Sequence, residues 1–129
     1  MGHVIIGVGL DVVPIARMAA MLARHGARAV DRLFSPAERA DCEGRAEPAQ
    51  HYAARFAAKE AVLKALGAPP GLRWVEMEVR KSDSGRPVLF LSGAAGATAA
   101  RRGVRAQHLS LTHAGGIAAA VVVLEGDGE

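Results

Sequence analysis

The hydrophobic pattern alternates between β-branched runs and longer stretches with helical spacing. Residues 4–13 are rich in valine and isoleucine, which predicts a buried strand. Pro14 follows, and apolar residues then recur three and four positions apart, so we expect a helix that stops near Gly26. Its core-facing stripe would consist of Ile15, Met18, Ala19 and Leu22.

Two further helices are predicted before residue 68. Ser35-Pro36-Ala37-Glu38 has the form of a capping box, so a short helix should begin at Pro36. Residues 44–48 break it, and a long helix should then extend to Gly67. One stripe of that helix should face the core, namely Tyr52, Phe56, Leu63 and Leu66. A second stripe combines small and charged residues, namely Ala53, Ala57, Glu60 and Lys64.

The second stripe has two interpretations. The stripe begins with two alanine methyl groups and ends in an acid and a base, so it could bind a charged ligand against the helix. Alternatively, Glu60 and Lys64 form an ordinary surface pair four residues apart, which stabilises a helix by only about 0.3 kcal/mol. The helical pattern alone does not choose between these interpretations.

The second half of the chain predicts two hairpins and one more helix. Alternating residues indicate a half-exposed strand at 74–80, which a turn at 82–86 joins to a partner strand at 87–91. A helix is expected at 94–102. A second hairpin follows, with strands at 107–112 and 117–125. The resulting order, β-α-α-α-β-β-α-β-β, predicts an α+β fold: a single domain with a largely antiparallel sheet packed against the long helix.

Composition limits the classes of protein that this chain could be. At 129 residues, half of them hydrophobic, we expect one globular domain at residues 1–125 and a loose tail at 126–129. The net charge is only +3 and the arginines are scattered, so a nucleic-acid partner is not expected. The single cysteine, Cys42, cannot form an internal disulfide. No signal peptide or membrane span is evident, so we expect a cytoplasmic location without membrane contact.

Four motifs in register carry a family resemblance. The segment F-A-A-K-E-A-V-L-K-A-L-G at residues 56–67 resembles the signature of the 4'-phosphopantetheinyl transferases, specifically the small bacterial holo-acyl-carrier-protein synthases. The opening G-L-D-V-V-P-I-A-R at residues 9–17 is similar to the family pattern G-x-D-x-x-x-x-x-R. Residues 74–79 with Gly85-Arg86-Pro87, and H-L-S-L-T-H at 108–113, complete the set. The resemblance spans about residues 4–125.

The resemblance implies a 4'-phosphopantetheinyl transferase fold and a specific reaction. Such enzymes transfer the 4'-phosphopantetheine group from coenzyme A to a serine of apo-acyl carrier protein. They release adenosine 3',5'-bisphosphate, depend on Mg²⁺, and support fatty-acid biosynthesis. The sequence leaves open whether the carrier serves fatty-acid or polyketide synthesis and whether acyl-coenzyme A is accepted.

Asp11 and Glu60 match the family's metal-binding positions. Mg²⁺ is commonly held by one or two carboxylates together with water and substrate phosphate oxygens. Asp11 shares one strand face with Gly7 and Gly9, which should leave room for a ligand. The alternative for Asp11 is a helix N-cap ahead of Pro14. The acceptor of the serine proton is left open between Glu60 and a metal-bound water.

Four residues are implied to contact coenzyme A. Lys64 matches a lysine that approaches the phosphates and is also implied to be catalytic, with Asp11 and Glu60. Gly67 and Arg86 belong to the matched motifs, and His113 matches a histidine that lines the cofactor site. An ordinary hairpin turn remains an alternative for Arg86, and a structural role for His113. Lys59 lies on the apolar side of the helix, where a snorkelling structural role is an equal alternative.

The resemblance also concerns the protein partner and contains one departure. Arg17 matches the family's arginine for docking the acidic carrier, and Arg24 follows it on the same helix. A solvated helix face is the alternative for Arg24.

Where the family commonly continues K-A-L-G-T-G, this chain has Ala68-Pro69 after Gly67. Contacts from that loop to the cofactor are therefore in question.

We expect a homotrimer with active sites shared between subunits. Larger superfamily members carry two copies of the unit in one chain, whereas this chain has one. Residues 117–124 are apolar on both faces of their predicted strand, so both faces need a cover. Burial within the subunit's own fold is the alternative.

Two rival functions remain, a non-catalytic coenzyme A or nucleotide-binding module and a small basic RNA-associated protein.

Overall fold

The computed structural model describes residues 3–127, which form two small antiparallel sheets around a central helix. In chain order the elements are β1 (Val4–Pro14), α1 (Ile15–Leu33), α2 (Pro36–Glu43), α3 (Pro48–Ala65), a 3-10 turn (Trp74–Glu76), β2 (Met77–Lys81), β3 (Pro87–Leu91), α4 (Gly93–Arg101), β4 (Val104–Ala114) and β5 (Ile117–Gly126). This is the α+β arrangement predicted from the sequence. Within the described residues, no helix is both long and apolar enough to span a membrane.

The larger sheet has the strand order β1-β5-β4, and β2 pairs with β3 in the smaller one. In the larger sheet, Asp11 lies opposite Ala120, and Ala120 lies opposite Leu111 on the other side. Because paired residues share a face, these three side chains lie on one face of the sheet. The inner face of β5 is buried, with Ala118, Ala120, Val122 and Leu124 each at most 2% exposed.

Helix α3 packs directly on this inner face. An added Cβ at Gly7 would lie 1.9 Å from the Ala65 carbonyl oxygen, and one at Gly9 only 1.7 Å from that of Ala61. The glycines therefore let the backbones of β1 and α3 approach closely. The expectation that the glycines leave space for a ligand beside Asp11 was wrong, because α3 occupies that space. The alanine stripe of α3 is likewise covered, with Ala53 and Ala57 fully buried.

We expect Gly9→Ala to destabilise the fold by at least about 3 kcal/mol, since overpacking a rigid contact commonly costs 1–3 kcal/mol and here the obstacle is backbone. Urea unfolding monitored by circular dichroism will measure the loss. Gly44→Ala is the matched control, because its Cβ would meet its nearest atom at 3.4 Å. A Gly9→Ala protein as stable as the control would contradict the close packing of β1 on α3.

The outer face of the larger sheet is apolar and open. Val8, Leu10 and Val12 of β1 are 58%, 59% and 48% exposed, although residues 4–13 were predicted to form a buried strand. On β5, Val121 and Val123 share this face and are half-buried. The alternative that both faces of β5 are covered within the subunit is therefore wrong for the isolated chain. We call this surface the outer sheet face; its β1 and β5 members are Val8, Leu10, Val12, Ile117, Ala119, Val121 and Val123.

Local details differ from the sequence expectation at four places. Gly26 interrupts α1 with φ 57° and ψ −139°, yet helix resumes beyond it because glycine tolerates that conformation. Ala19, assigned to the core stripe, is exposed. Residues 74–76 form a 3-10 turn rather than strand, since the Glu76 carboxylate accepts hydrogen bonds from the Arg73 and Ala95 amides. Gly126, assigned to a loose tail, ends β5 opposite Val4; residues 128–129 lie outside the described part.

Candidate active site

Asp11 and Lys64 meet at the border between β1 and α3. The Lys64 Nζ lies 3.0 Å from Asp11 Oδ1 and donates a second hydrogen bond, of 2.9 Å, to the carbonyl oxygen of Leu10. The Asp11 side chain is only 16% exposed, whereas that of Lys64 is 52% exposed. The Lys64 ammonium group is thus fixed against Leu10 and Asp11 of β1 while the side chain remains accessible to solvent.

Glu60 lies one turn before Lys64 on α3 and completes the cluster. Its pKa is raised, first by burial and then by the negative charge of Asp11, and the charge of Lys64 opposes the shift. Asp11 and Glu60 are therefore close enough for their charges to interact. A cation between the two carboxylates would relieve their repulsion.

The two carboxylates suit Mg²⁺ better than a metal ion whose ligands all come from the protein. Among residues 3–127, no three side chains of His, Cys, Asp or Glu converge on a common point. Asp11 and Glu60 would thus supply two oxygen ligands, and water or substrate phosphate would supply the others, as Mg²⁺ prefers. The residues present fit the metal that the sequence resemblance implied.

The structure removes two alternative interpretations. Asp11 does not cap α1, because the N-cap is Pro14 and no side chain caps that helix end. Lys64 is not engaged in a surface pair with Glu60, because its ion-pair partner is Asp11 on a different element. Both side chains therefore belong to a tertiary cluster.

Arg86 and His113 lie apart from this cluster. Arg86 is exposed in the β2–β3 turn and lines a cavity of about 120 Å³ with residues of β3 and β4. His113, near the end of β4, has its Nε2 3.0 Å from Nε2 of Gln50. Both belong to the β3–β4 side of the molecule, and β5 separates β4 from Asp11 on β1.

The sequence motifs did not identify a group of basic side chains near the start of α3. Arg55 is almost fully buried and forms an ion pair with Asp41. Oδ1 of the same Asp41 lies 3.5 Å from Nη2 of Arg45. Burial lowers the pKa of His51, and the charges of Arg45 and Arg55 lower it further. His113 adds to the same effect, so it too lies near this group. A signal was present, since Arg55 is a charged residue inside an alanine-rich helix.

Comparisons with known proteins show the family of this chain. A model of the 4'-phosphopantetheinyl transferase superfamily matches residues 7–122.

The chain belongs to the 4'-phosphopantetheinyl transferase superfamily.

Relatives within the superfamily share one name. The holo-[acyl-carrier-protein] synthase of Anaeromyxobacter dehalogenans (strain 2CP-C) is 53% identical over 127 residues, which cover 96% of this chain and 98% of the relative. The crystal structure of holo-ACP-synthase from Plasmodium yoelii matches with a TM-score of 0.85 and 29% identity, over 98% of this chain and 99% of that one. The crystal structure of Helicobacter pylori holo-[acyl-carrier-protein] synthase in complex with coenzyme A matches with a TM-score of 0.79 and 30% identity. The match covers 91% of this chain and 98% of that chain. The predicted family and fold are confirmed.

The loop that departs from the superfamily pattern follows α3 directly. Gly67 has φ 83° and Ala68 has φ 56°, and the Ala68 amide donates a 2.7 Å hydrogen bond to the Leu63 carbonyl. Alanine in this left-handed region costs about 1–2 kcal/mol, so the loop keeps the turn at some expense of stability. Gly67 remains one turn from Lys64, while the methyl group of Ala68 has no hydrogen-bonding capacity.

Arg17 and Arg24 lie on α1, which begins directly after the strand that carries Asp11. Both are exposed. Their separation of seven residues places them above one another on the helix, about 10 Å apart. Arg17 and Arg24 therefore lie on one exposed face of α1.

Proposed function

We propose that this protein transfers the 4'-phosphopantetheine group of coenzyme A to a serine of an apo-acyl carrier protein, with Mg²⁺ as cofactor. The observation that carries the proposal is the convergence of Asp11, Glu60 and Lys64 from β1 and α3. Two carboxylates and one solvent-accessible ammonium suit phosphoryl transfer, because that reaction depends on positioning and charge neutralisation. The names of the relatives support the same activity.

In the proposed reaction the serine oxygen attacks the phosphorus atom that bears the pantetheine arm. A new P–O bond forms, the pyrophosphate P–O bond breaks, and adenosine 3',5'-bisphosphate leaves. When bound, Mg²⁺ would neutralise phosphate charge. Lys64 would stabilise the charge that develops on the leaving phosphate. The serine proton passes to a base in the same site, for which Glu60 is the candidate carboxylate.

The remaining basic side chains suit the other phosphates of coenzyme A. Arg45, Arg55, His51 and His113 lie near the start of α3, and Arg86 lies on the β3–β4 side. A phosphate would compete with Asp41 for Arg55, whose Nε has no hydrogen-bond partner in the described part of the chain. We propose that this group, with Gly67, contributes to coenzyme A binding.

A homotrimer would bring these parts together. Arg86 and His113 lie on the far side of β5 from Asp11, and the outer sheet face is apolar and open. Monomeric proteins rarely expose so continuous an apolar surface. We propose that three copies pack through their outer sheet faces with cyclic symmetry, so that the β4 edge of one subunit completes the site at β1 of the next.

The cellular setting follows from this chemistry. Coenzyme A and carrier proteins for fatty-acid synthesis are the substrates that we propose, and a cytoplasmic location agrees with them. Nothing about the exposed arginines requires a nucleic acid, since Arg17 and Arg24 on α1 would equally meet an acidic carrier.

The decisive experiment incubates the protein with coenzyme A, Mg²⁺ and an apo-acyl carrier protein, and then weighs the carrier by mass spectrometry. We expect a gain of one phosphopantetheine, and no gain when Mg²⁺ is chelated. Binding of coenzyme A without any change in carrier mass would instead support a non-catalytic binding module.

We expect Arg17→Glu to raise the KM for the carrier about tenfold at low salt, with little change in the KM for coenzyme A. Charge reversal replaces attraction by repulsion at the docking surface, and exposed charges are screened over about 10 Å at 0.1 M salt, so the effect should shrink as salt rises. Arg101→Glu on α4 is the matched control for net charge. Equal carrier KM values for the two variants would refute the docking role of Arg17.

A further inference from the structure

Lys59 is fully buried, and each of its three N–H donors has a partner. Nζ lies 2.8 Å from Glu38 Oε1, 3.0 Å from the Trp74 carbonyl oxygen and 2.9 Å from that of Met77. The side chains of Lys59 and Glu38 are both 0% exposed. The suggested snorkelling role is thus wrong, since the ammonium group itself is inside. Lys59 also cannot contact a substrate, because it has neither exposure nor a free donor.

Glu38 extends the network to two further backbone groups. Its Oε2 accepts a 2.9 Å hydrogen bond from the Val79 amide, and its Oε1 accepts one of 2.9 Å from the Ser35 amide. The Lys59–Glu38 pair therefore joins α3 to the start of α2, to the 3-10 turn and to β2. Every bond in it has a preferred direction.

The side of α3 that faces β1 is packed mainly through small residues, and the polar contacts that Lys64 makes there come from a side chain that is 52% exposed. There, Gly7 and Gly9 of β1 lie against the backbone at Ala65 and Ala61, and the neighbouring α3 side chains are methyl groups. A smooth glycine–alanine contact sets how closely α3 approaches the sheet. It does little to resist rotation of α3 about its own axis, because methyl groups pack without directional preference.

Rotation of α3 would be costly for the site. An atom about 6 Å from the helix axis, where a long side chain ends, moves about 1 Å when the helix turns by about 10°. A misplacement of about 1 Å can lower a rate by about 10²-fold. Glu60 is the residue next to Lys59, and Lys64 follows one turn later, so both move with this part of the helix.

We propose that the buried Lys59–Glu38 pair is a positioning element that sets the rotation of α3 and thereby aims Glu60 and Lys64 at Asp11. The inference rests on the proposed function for its kinetic readout. Two other polar contacts lie on the same side of α3, Tyr52 with Glu43 and Arg55 with Asp41. Both are nearer the start of the helix, one or more turns from Glu60.

The test uses paired substitutions, because Lys59→Met alone would leave the Glu38 charge buried and unpaired. Lys59→Met/Glu38→Gln is neutral and keeps one acceptor oxygen, which can serve either the Val79 or the Ser35 amide. Lys59→Met/Glu38→Leu is a second, fully apolar version, since replacing a buried ion pair by apolar residues is often tolerated. Circular dichroism and the fluorescence of Trp74, the single tryptophan, report whether each variant folds.

We expect a folded double variant to lose at least tenfold in kcat, with both KM values changed less than threefold. Val62→Ala is the matched control, because Val62 is 0% exposed on the same helix and its truncation destabilises the core without removing a polar contact. At a temperature well below its unfolding midpoint, that control should keep its kcat. A folded double variant with wild-type kcat overturns the proposal, as does an equal loss in Val62→Ala. Failure of both double variants to fold also overturns it, because the pair would then serve folding alone.

A second readout does not depend on activity. Limited acetylation, followed by mass spectrometry, measures how reactive the Lys64 amine is, and its contact with Asp11 should protect it. We expect Lys64 to be acetylated several times faster in a folded double variant than in the wild type, and equal rates would overturn the proposal. If the wild type shows no transfer, the proposed function fails, while Lys64 reactivity still decides the positioning role.

Discussion

Glu60→Gln and Asp11→Asn should each abolish phosphopantetheine transfer while the protein still folds. Each change keeps the shape of the side chain but removes a negative charge from the site. Loss of one group that stabilises charge in a transition state commonly lowers kcat by 10²–10³, and loss of a metal ligand adds to this. We therefore expect kcat/KM to fall by at least about 10³.

The measurement follows carrier mass against time at saturating coenzyme A and varied Mg²⁺. Both variants should need more Mg²⁺ than the wild type for whatever activity remains. Glu47→Gln is the control, because Glu47 precedes α3, is exposed and makes no side-chain cap to that helix. Near-normal turnover in either Glu60→Gln or Asp11→Asn would refute the metal assignment.

Leu10→Glu should convert a trimer into a monomer that no longer transfers phosphopantetheine. Leu10 is 59% exposed on the outer sheet face and lies opposite Val121 of β5. Burying three added carboxylates in an apolar interface is strongly unfavourable, so the subunits should separate. Activity should be lost with them, because Arg86 and His113 of a neighbour would no longer reach the Asp11 cluster.

Light scattering coupled to gel filtration tests this. The wild type should have about three times the mass of the 13.4 kDa chain, and Leu10→Glu should have the mass of one chain. Phe90→Ser removes another exposed apolar side chain, one on β3 outside the outer sheet face, and should leave both mass and activity unchanged. A wild-type protein that is fully active at the monomer mass would overturn the shared-site proposal.

Much of the local structure could be predicted from the sequence, because short-range chemistry decides it. The Ser35 capping box is formed as expected, with the Ser35 hydroxyl and the Glu38 side chain each bonded to the other's backbone amide. The turn between β2 and β3 and the Gly115-Gly116 turn between β4 and β5 also lie where expected. These features depend on residues within a few positions of each other, whose preferences a single segment reveals.

The sequence singled out three residues that lie close together in the fold, but it did not predict their contacts. The motifs singled out Asp11, Glu60 and Lys64, and the structure brings all three together. A Lys64–Glu60 pair was one of the two interpretations that helical spacing left open, whereas the actual partner of Lys64 is Asp11, 53 positions away. Helical spacing shows which side chains share a face, but it contains no information on what another element places beside them.

The sequence by itself determined the element order, the turns, the caps and the family to which the chain belongs. Only the tertiary structure decided that Gly7 and Gly9 admit α3 rather than a ligand, that Lys59 is buried with Glu38, and that the outer sheet face is open. The physical reason is the range of the interactions. Turns and caps are set by neighbouring residues, whereas close packing, charge burial and surface exposure depend on distant segments that meet only in the folded chain.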